Sequence, residues 1–167
     1  MSNILKESAL NTADGTNSSV KYLAFICDNQ HYAFKLDIVK EIMKIQPFTI
    51  VPEFPLYCKG IINIRGDIVP VIDVRRRFKR PEIEYTDRAC IIVVNSGEQY
   101  VGFIADAVDA VIDINNFDIS PAPKITSSSV EYIEGIGKTD GKIILILDSD
   151  KLLSDDDHLT FSSYSKE

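Results

Sequence analysis

Apolar and polar positions along this chain fall into short runs of strand type, separated by turn residues, rather than into long helical stripes. Residues 21–26 (KYLAFI) close on the polar turn Asp28-Asn29-Gln30-His31, and residues 32–36 read as the returning strand. A second pair is predicted at 89–94 and 99–104, around the turn Asn95-Ser96-Gly97-Glu98. Between the pairs lies KGIINIRGDIVPVIDVRRRF, residues 59–78, in which two β-rich runs meet at Gly66-Asp67. Gly at the first central position suits a type II′ hairpin turn, where φ is positive. That register pairs Arg65 with Ile68 and Asn63 with Pro70, and it puts Asn63 and Arg65 on the face of Ile61, opposite Ile62 and Ile64. Pro70 donates no N–H, which predicts an edge or a bulge on its side of the strand. Residues 142–148 are apolar on both faces and predict a buried central strand.

Two stretches depart from the strand pattern. Apolar residues at 38, 39, 42 and 43, and again at 104, 107, 108, 111 and 112, follow helical spacing and predict short helices or helical turns, with Asp37 and Asp106 as caps. Pro47, Pro52 and Pro55 mark one extended connector, and Pro121, Pro123 and residues 127–129 (SSS) mark a second. Residues 1–19 and 154–167 hold too few apolar groups to offset the entropy of ordering, and read as flexible tails.

The second half re-uses the plan of the first. Phe34, Asp37, Val39 and Ile42 precede Phe103, Asp106, Val108 and Val111 by 69 positions. Beyond the connector the offset is 75, so that Tyr57, Gly60, Ile61, Gly66, Val71 and Asp73 map onto Tyr132, Gly135, Ile136, Gly141, Ile146 and Asp148. The fold this predicts is mainly β, with short helices. An internal duplication gives two packed five-stranded β-barrels of SH3-like or OB-like size, because closure removes unpaired edges. The lobes span about 20–82 and about 83–153, within one domain at 20–153, and exchange of terminal strands between them stays open. Positions shared by both halves are scaffold, while those that differ are candidates for function. Asn63 becomes Lys138, Arg65 becomes Asp140, and Arg75-Arg76-Arg77 becomes Asp150-Lys151-Leu152.

Composition narrows the chemistry. A net charge of −7 on 167 residues argues against nucleic acid or an anionic membrane as the main partner. The cationic run Arg75, Arg76, Arg77, Lys79, Arg80 reads as a solvated segment that neutralises nearby acids, with a polyanion site as the alternative. Cys27, Cys58 and Cys90 are odd in number and widely spaced, as expected of reduced, buried thiols in a cytosolic protein. Neither His31 nor His158 has a partner at metal-ligand or catalytic-triad spacing. Asp106, Asp109 and Asp113 would share one helical face and read as its wet side, with a divalent-cation site as the weaker reading. No Gly-rich nucleotide loop, acid–base pair, cofactor motif or signal peptide is visible.

The stretch 57–75, YCKGIINIRGDIVPVIDVR, resembles the CheW family of bacterial chemotaxis coupling proteins, supported by residues 39–42 (VKEI), 132–136 (YIEGI) and 145–148 (LILD). The resemblance implies a non-enzymatic, cytoplasmic adaptor of two five-stranded barrels, held near the membrane through receptor arrays and needing no cofactor. Its partners would be the cytoplasmic tip of a chemoreceptor and the regulatory domain of the histidine kinase CheA. Val39, Glu41, Ile42, Val108 and Val111 are then the expected receptor-groove residues, and Gly60, Asn63, Arg65, Gly66 and Asp67 the expected kinase and array contacts. Glu41 is expected to pair with Arg65. Two alternatives are an adaptor of this kind serving surface motility or second-messenger synthesis, and a small-barrel nucleic-acid binder.

Overall fold

The computed structural model describes residues 18–122 and 131–153. The expected flexible tails lie outside the described residues, except that Ser19 already pairs with Asn115; so does the stretch of the second connector from Pro123 to residue 130. The strands are β1 (Ser19–Cys27), β2 (Gln30–Lys35), β3 (Val39–Lys44), β4 (Cys58–Ile64), β5 (Asp67–Asp73), β6 (Cys90–Ser96), β7 (Gln99–Ala105), β8 (Ala107–Asn115), β9 (Ile119–Pro121), β10 (Ile133–Thr139) and β11 (Lys142–Leu147). A single turn of α-helix, α1 (Val74–Arg77), follows β5, and 3₁₀ turns cover Leu36–Ile38 and Asn116–Asp118.

The strands form a six-stranded sheet, β8-β1-β2-β11-β10-β9, and a five-stranded sheet, β3-β6-β7-β5-β4. Each sheet draws on both halves of the sequence. The β1–β2 hairpin joins the hairpin of the second half through the parallel β2–β11 ladder, and β6–β7 joins that of the first half through β5–β7. The chain itself brings the outer strands of each sheet together. The turn Asn116–Asp118 links edge β8 to edge β9, and the connector after β3 pairs Thr49 with Ile61 of β4 through bonds of 2.9 and 2.8 Å. Both sheets are thereby curled into small barrels.

Three apolar clusters explain why so many strands are apolar on both faces. Ile62, Ile64, Val69, Val71, Ile91, Val93 and Ile104 fill the five-stranded barrel, and Tyr22, Ala33, Ile114, Ile144 and Ile146 fill the six-stranded one. The opposite faces of the same strands meet in a larger central cluster that includes Leu23, Phe25, Phe34, Ile92, Phe103 and Leu147. In β6, Ile91 and Val93 point into the barrel while Cys90, Ile92 and Val94 point to the seam, as alternation dictates. Each such burial contributes about 1.5–3 kcal/mol, so the seam is a core in its own right. β11, expected to be central, lies between β2 and β10, although Ile143 at its start is exposed.

The two expected helices are strands. Residues 37–43 form the end of a 3₁₀ turn and most of β3, and 105–112 lead into β8. Each strand carries a β-bulge at the equivalent place. Lys40 is the extra residue opposite β6 (Val39↔Val94, Glu41↔Val93), and Asp109 is the extra residue opposite β1 (Val108↔Phe25, Ala110↔Ala24). An extra residue stretches the apolar spacing from two to three, which imitates helical periodicity. Neither aspartate caps a helix: the Asp37 side chain caps nothing, and Asp106 binds Arg75. The loop of the central hairpin lies one residue earlier than expected, which moves the pairing by two: Ile64 pairs with Asp67, Asn63 with Ile68 and Ile61 with Pro70. Its loop is Arg65-Gly66, with φ of 48° and 92°, positive at both central residues as a type I′ turn requires. The ladder from β5 to β7 begins at Val71, so β5 is an edge on that side at Pro70.

Candidate functional site

β3 and β8 stand at the ends of their sheets and hold the expected groove residues on equivalent frames. Val39 and Val108 are half-buried against the central cluster at the seam between the barrels. Three positions further along, beyond the bulges, Ile42 and Val111 are 45% and 53% exposed. Each edge strand therefore runs from an aliphatic foot in the seam to an aliphatic head in solvent. A bulge also twists an edge strand out of line, which discourages pairing with a foreign strand and leaves side chains as the means of contact.

The hairpin tip is built from local bonds. The Asn63 Oδ1 accepts from the Gly66 N–H at 2.9 Å, and Arg65 Nη2 donates to Glu41 Oε1 at 2.6 Å. The expected Glu41–Arg65 pair thus forms, and it ties the tip of the β4–β5 hairpin to β3 at one end of the five-stranded barrel. Arg65 is well exposed there, so the pair supplies about 0.2–1 kcal/mol at most and fixes geometry more than stability. Asp67 is exposed beside it, lining with Lys40, Glu41, Arg65 and Tyr100 a small cleft of about 140 Å³. Gly60 is different: it is buried, with φ of 148°, and a Cβ there would lie 2.4 Å from the Thr49 carbonyl oxygen. It shapes the bulge of β4 under the connector and offers no surface.

The sequence reading did not find the group at α1. Asp73, 2% exposed, caps the turn by accepting from the backbone N–H of Arg75 and Arg76, and also accepts from the Tyr85 hydroxyl at 2.9 Å. Arg75 reaches across the seam with its side chain only 11% exposed. It donates to both Asp106 oxygens (Nε 3.0 Å, Nη2 2.8 Å), to Asp28 Oδ1 at 3.3 Å and to the Pro81 carbonyl at 3.1 Å. Burial alone would raise the Asp106 pKa, but the Arg75 hydrogen bonds, the Asp28 N–H and the Arg75 charge together hold it below the usual value. Arg77 lies between the rings of Tyr57 and Tyr132, 5.0 and 4.8 Å from their centroids. The one available signal was that Tyr57 and Tyr132 are repeat partners. The basic run is largely engaged by nearby acids, with Arg76 on Glu82 and Arg80 near Asp28 at 3.5 Å.

The acidic trio is dispersed by the change from helix to strand. Asp106 binds Arg75, Asp113 pairs with Lys21 at 3.1 Å, and Asp109 lies 3.9 Å from His31. No cluster of metal-binding side chains occurs among the described residues. All three thiols are buried and unpaired, and burial pushes Cys27 up to about 12 and Cys58 up to about 11. At neutral pH they are inert thiols. Among the described residues, no helix is long and apolar enough to cross a membrane.

Paired barrels packed over a common core, with exposed side chains on two edge strands and a hairpin tip, define the class of the fold. The crystal structure of the scaffolding protein TtCheW from Thermoanaerobacter tengcongensis superposes with a TM-score of 0.78 at 35% identity, covering 84% of this chain and 96% of that one. Residues 21–157 match the CheW-like domain, and the chain belongs to that family. It is 30% identical to the chemotaxis protein CheW of Klebsiella aerogenes over 153 residues, 91% of this chain and 92% of that protein. It is 35% identical to the chemotaxis protein CheW of Bacillus subtilis over 134 residues, 80% and 86% of the two chains. This is a chemotaxis scaffold and not an enzyme.

Proposed function

We propose that the chain is a cytoplasmic adaptor that couples the cytoplasmic tips of chemoreceptors to the histidine kinase CheA. One observation carries the reading: Ile42 and Val111, equivalent in the repeat, are exposed aliphatic residues on bulged edge strands whose feet, Val39 and Val108, reach the seam. A receptor tip is a helical hairpin, and an amphipathic helix binds through aliphatic anchors laid along a groove. β3 and β8 supply such anchors on either side of the pseudo-symmetric molecule. The kinase contact falls on the first-half hairpin, where Asn63, Arg65 and Asp67 are exposed, while the second-half hairpin has no equivalent ion pair among the described residues.

Co-sedimentation of receptor signalling fragments with kinase tests this directly. The kinase should pellet with receptor only when the adaptor is present. Ile42→Asp and Val111→Asp should abolish adaptor binding to the receptor fragment while the fold, followed by circular dichroism, is retained. Arg65→Glu should lose kinase recruitment, and Glu41→Arg combined with Arg65→Glu should recover part of it. A double variant no better than either single one sinks the role of the pair, and kinase that pellets equally well without the protein sinks the adaptor reading.

A further inference from the structure

At the end of β5 away from the hairpin tip, this acidic chain turns locally cationic. Arg76, Arg77, Lys79 and Arg80 line an open cleft of about 670 Å³ with Leu56 and Glu82. Four cations thus face one carboxylate, and Glu82 is already engaged by Arg76 and by Lys59 at 3.2 Å. Lys79 is exposed and its ammonium forms no ion pair among the described residues, while Arg80 is exposed and 3.5 Å from Asp28.

The backbone holds both kinds of side chain in place. Lys79 closes α1 in the left-handed region, with φ of 59°. Its N–H donates to the Arg76 carbonyl at 3.0 Å and the Arg80 N–H to the Arg75 carbonyl at 2.7 Å, the paired bonds of a Schellman motif. Glycine is the residue such a position favours, because a Cβ is crowded at positive φ. A lysine kept there, like the arginine at the hairpin tip, points to its side chain. Leu56 is 90% exposed although its surroundings are fixed: Phe54 is buried in the central cluster, the Cys58 N–H donates to the Pro55 carbonyl at 3.0 Å, and Arg76 Nη1 donates to the carbonyl of Leu56 itself at 2.7 Å. A second cleft, of about 370 Å³, shares Leu56 and Arg76 with the first and is lined by Pro52, Pro55 and Ile50, the last 78% exposed. A cationic cleft thus adjoins a pinned apolar ridge.

We propose that the two adjoining clefts dock an acidic segment of a partner protein in which apolar residues are interspersed among carboxylates. Leu56 and Ile50 take its apolar side chains, and Lys79 and Arg80 its carboxylates. A chain of net charge −7 repels such a segment elsewhere, so the local excess of cations both steers it and decides where it lands. The same surface suits nucleic acid poorly, since it offers bases a leucine and an isoleucine, and the Tyr57 ring already faces Arg77, 5.0 Å from its centroid. The inference does not rest on receptor or kinase coupling, because neither cleft contains a groove or hairpin-tip residue.

Fluorescence anisotropy with the full chain tests the docking surface. The probe is a labelled peptide of Glu-Glu-Leu repeats, about twelve residues long so that it spans both clefts when extended, and the control has Ser in place of Leu. At about 50 mM salt the leucine peptide is expected to bind at least about tenfold more tightly than the serine peptide, and to weaken about tenfold at about 0.3 M. Lys79→Gly should weaken binding about threefold while the thermal midpoint stays or rises, because glycine suits the cap; a lysine with only a structural role would leave binding unmoved. Leu56→Ser, at an exposed site, should weaken binding about fivefold with the fold retained. Lack of binding by the leucine peptide at low salt overturns the proposal, as does binding that neither substitution changes. Equal binding of the serine peptide, or tighter binding of an oligouridylate of similar length, would mean a general polyanion site and would equally overturn it.

Discussion

The hairpins β4–β5 and β10–β11 share one plan and differ at the tip. In each, the aspartate at the strand end donates its N–H back to a tyrosine carbonyl, Asp73 to Tyr57 and Asp148 to Tyr132, both at 2.9 Å. In each, that aspartate caps the next turn with its side chain. Each turn has two residues of positive φ, Arg65-Gly66 at 48° and 92° and Asp140-Gly141 at 49° and 74°. Asp tolerates the left-handed region through local hydrogen bonding, but Arg has no such excuse. The first hairpin therefore keeps an ill-suited residue at its tip, and the repeat partner of its ion-pair acid Glu41 is Ala110. An arginine held against backbone preference points to its side chain, and this is the ground on which the kinase contact is proposed at one tip while both tips share the scaffold.

Four experiments break or sharpen that comparison. The largest effect is expected at the bulges. Gly60→Ala forces a Cβ against the Thr49 carbonyl at positive φ and should cost about 3 kcal/mol in chemical denaturation. Gly135→Ala meets the Ile119 Cγ2 at 3.0 Å without positive φ and should cost about 1 kcal/mol. Equal costs would show that the two bulges are strained alike.

The caps come next. Asp73→Ala removes a cap and leaves the Tyr85 hydroxyl unpaired, so a loss of about 2 kcal/mol is expected, against about 1 kcal/mol for Asp148→Ala. Both are measurable as shifts in the urea midpoint.

Asp106, the residue that Arg75 clasps, makes stability depend on pH. The Asp106 carboxylate is held below its ordinary 3.8, so the unfolded chain binds more protons and the stabilisation is full well above pH 4 and lost as pH falls through the folded value. Asp106→Asn should cost about 1.5 kcal/mol at neutral pH, and the gap from wild type should close in acid.

The smallest effect on stability is expected at the tip itself. Arg65→Asn relieves the turn and forfeits an exposed pair, leaving the unfolding free energy within about 0.5 kcal/mol of wild type. Kinase recruitment should nonetheless fall, because the link to Glu41 is gone. Recruitment unchanged would return Arg65 to the scaffold.

Much of this was legible in the chain because its causes are local. The doubled spacing of Tyr, Gly and Asp marks the duplication, and the two-faced apolar runs of β6 and β11 mark strands caught between a barrel and the seam. The bulged edges were misread because Lys40 and Asp109 each add one residue, and that residue alters the very period by which strand and helix are told apart. The hairpin turn was placed one residue too late because nothing in an arginine announces positive φ. The Arg75 clasp was hidden for another reason, since its acids lie 31 and 47 residues away and no short-range pattern links them.

The interleaved sheets carry a consequence for the order in which this protein is made. The hairpin β1–β2 leaves the ribosome before the other described strands, yet its neighbours β8 and β11 follow much later, with Lys21 joined to Asp113 across 92 residues. The five-stranded barrel is complete once β7 has emerged at Ala105. Long-range pairing is slow, and exposed strand edges invite association while they wait. The β1–β2 hairpin is therefore an unhoused guest until β8 and β11 emerge, and a chain cut between its halves would yield two pieces that each lack strands of their own barrel.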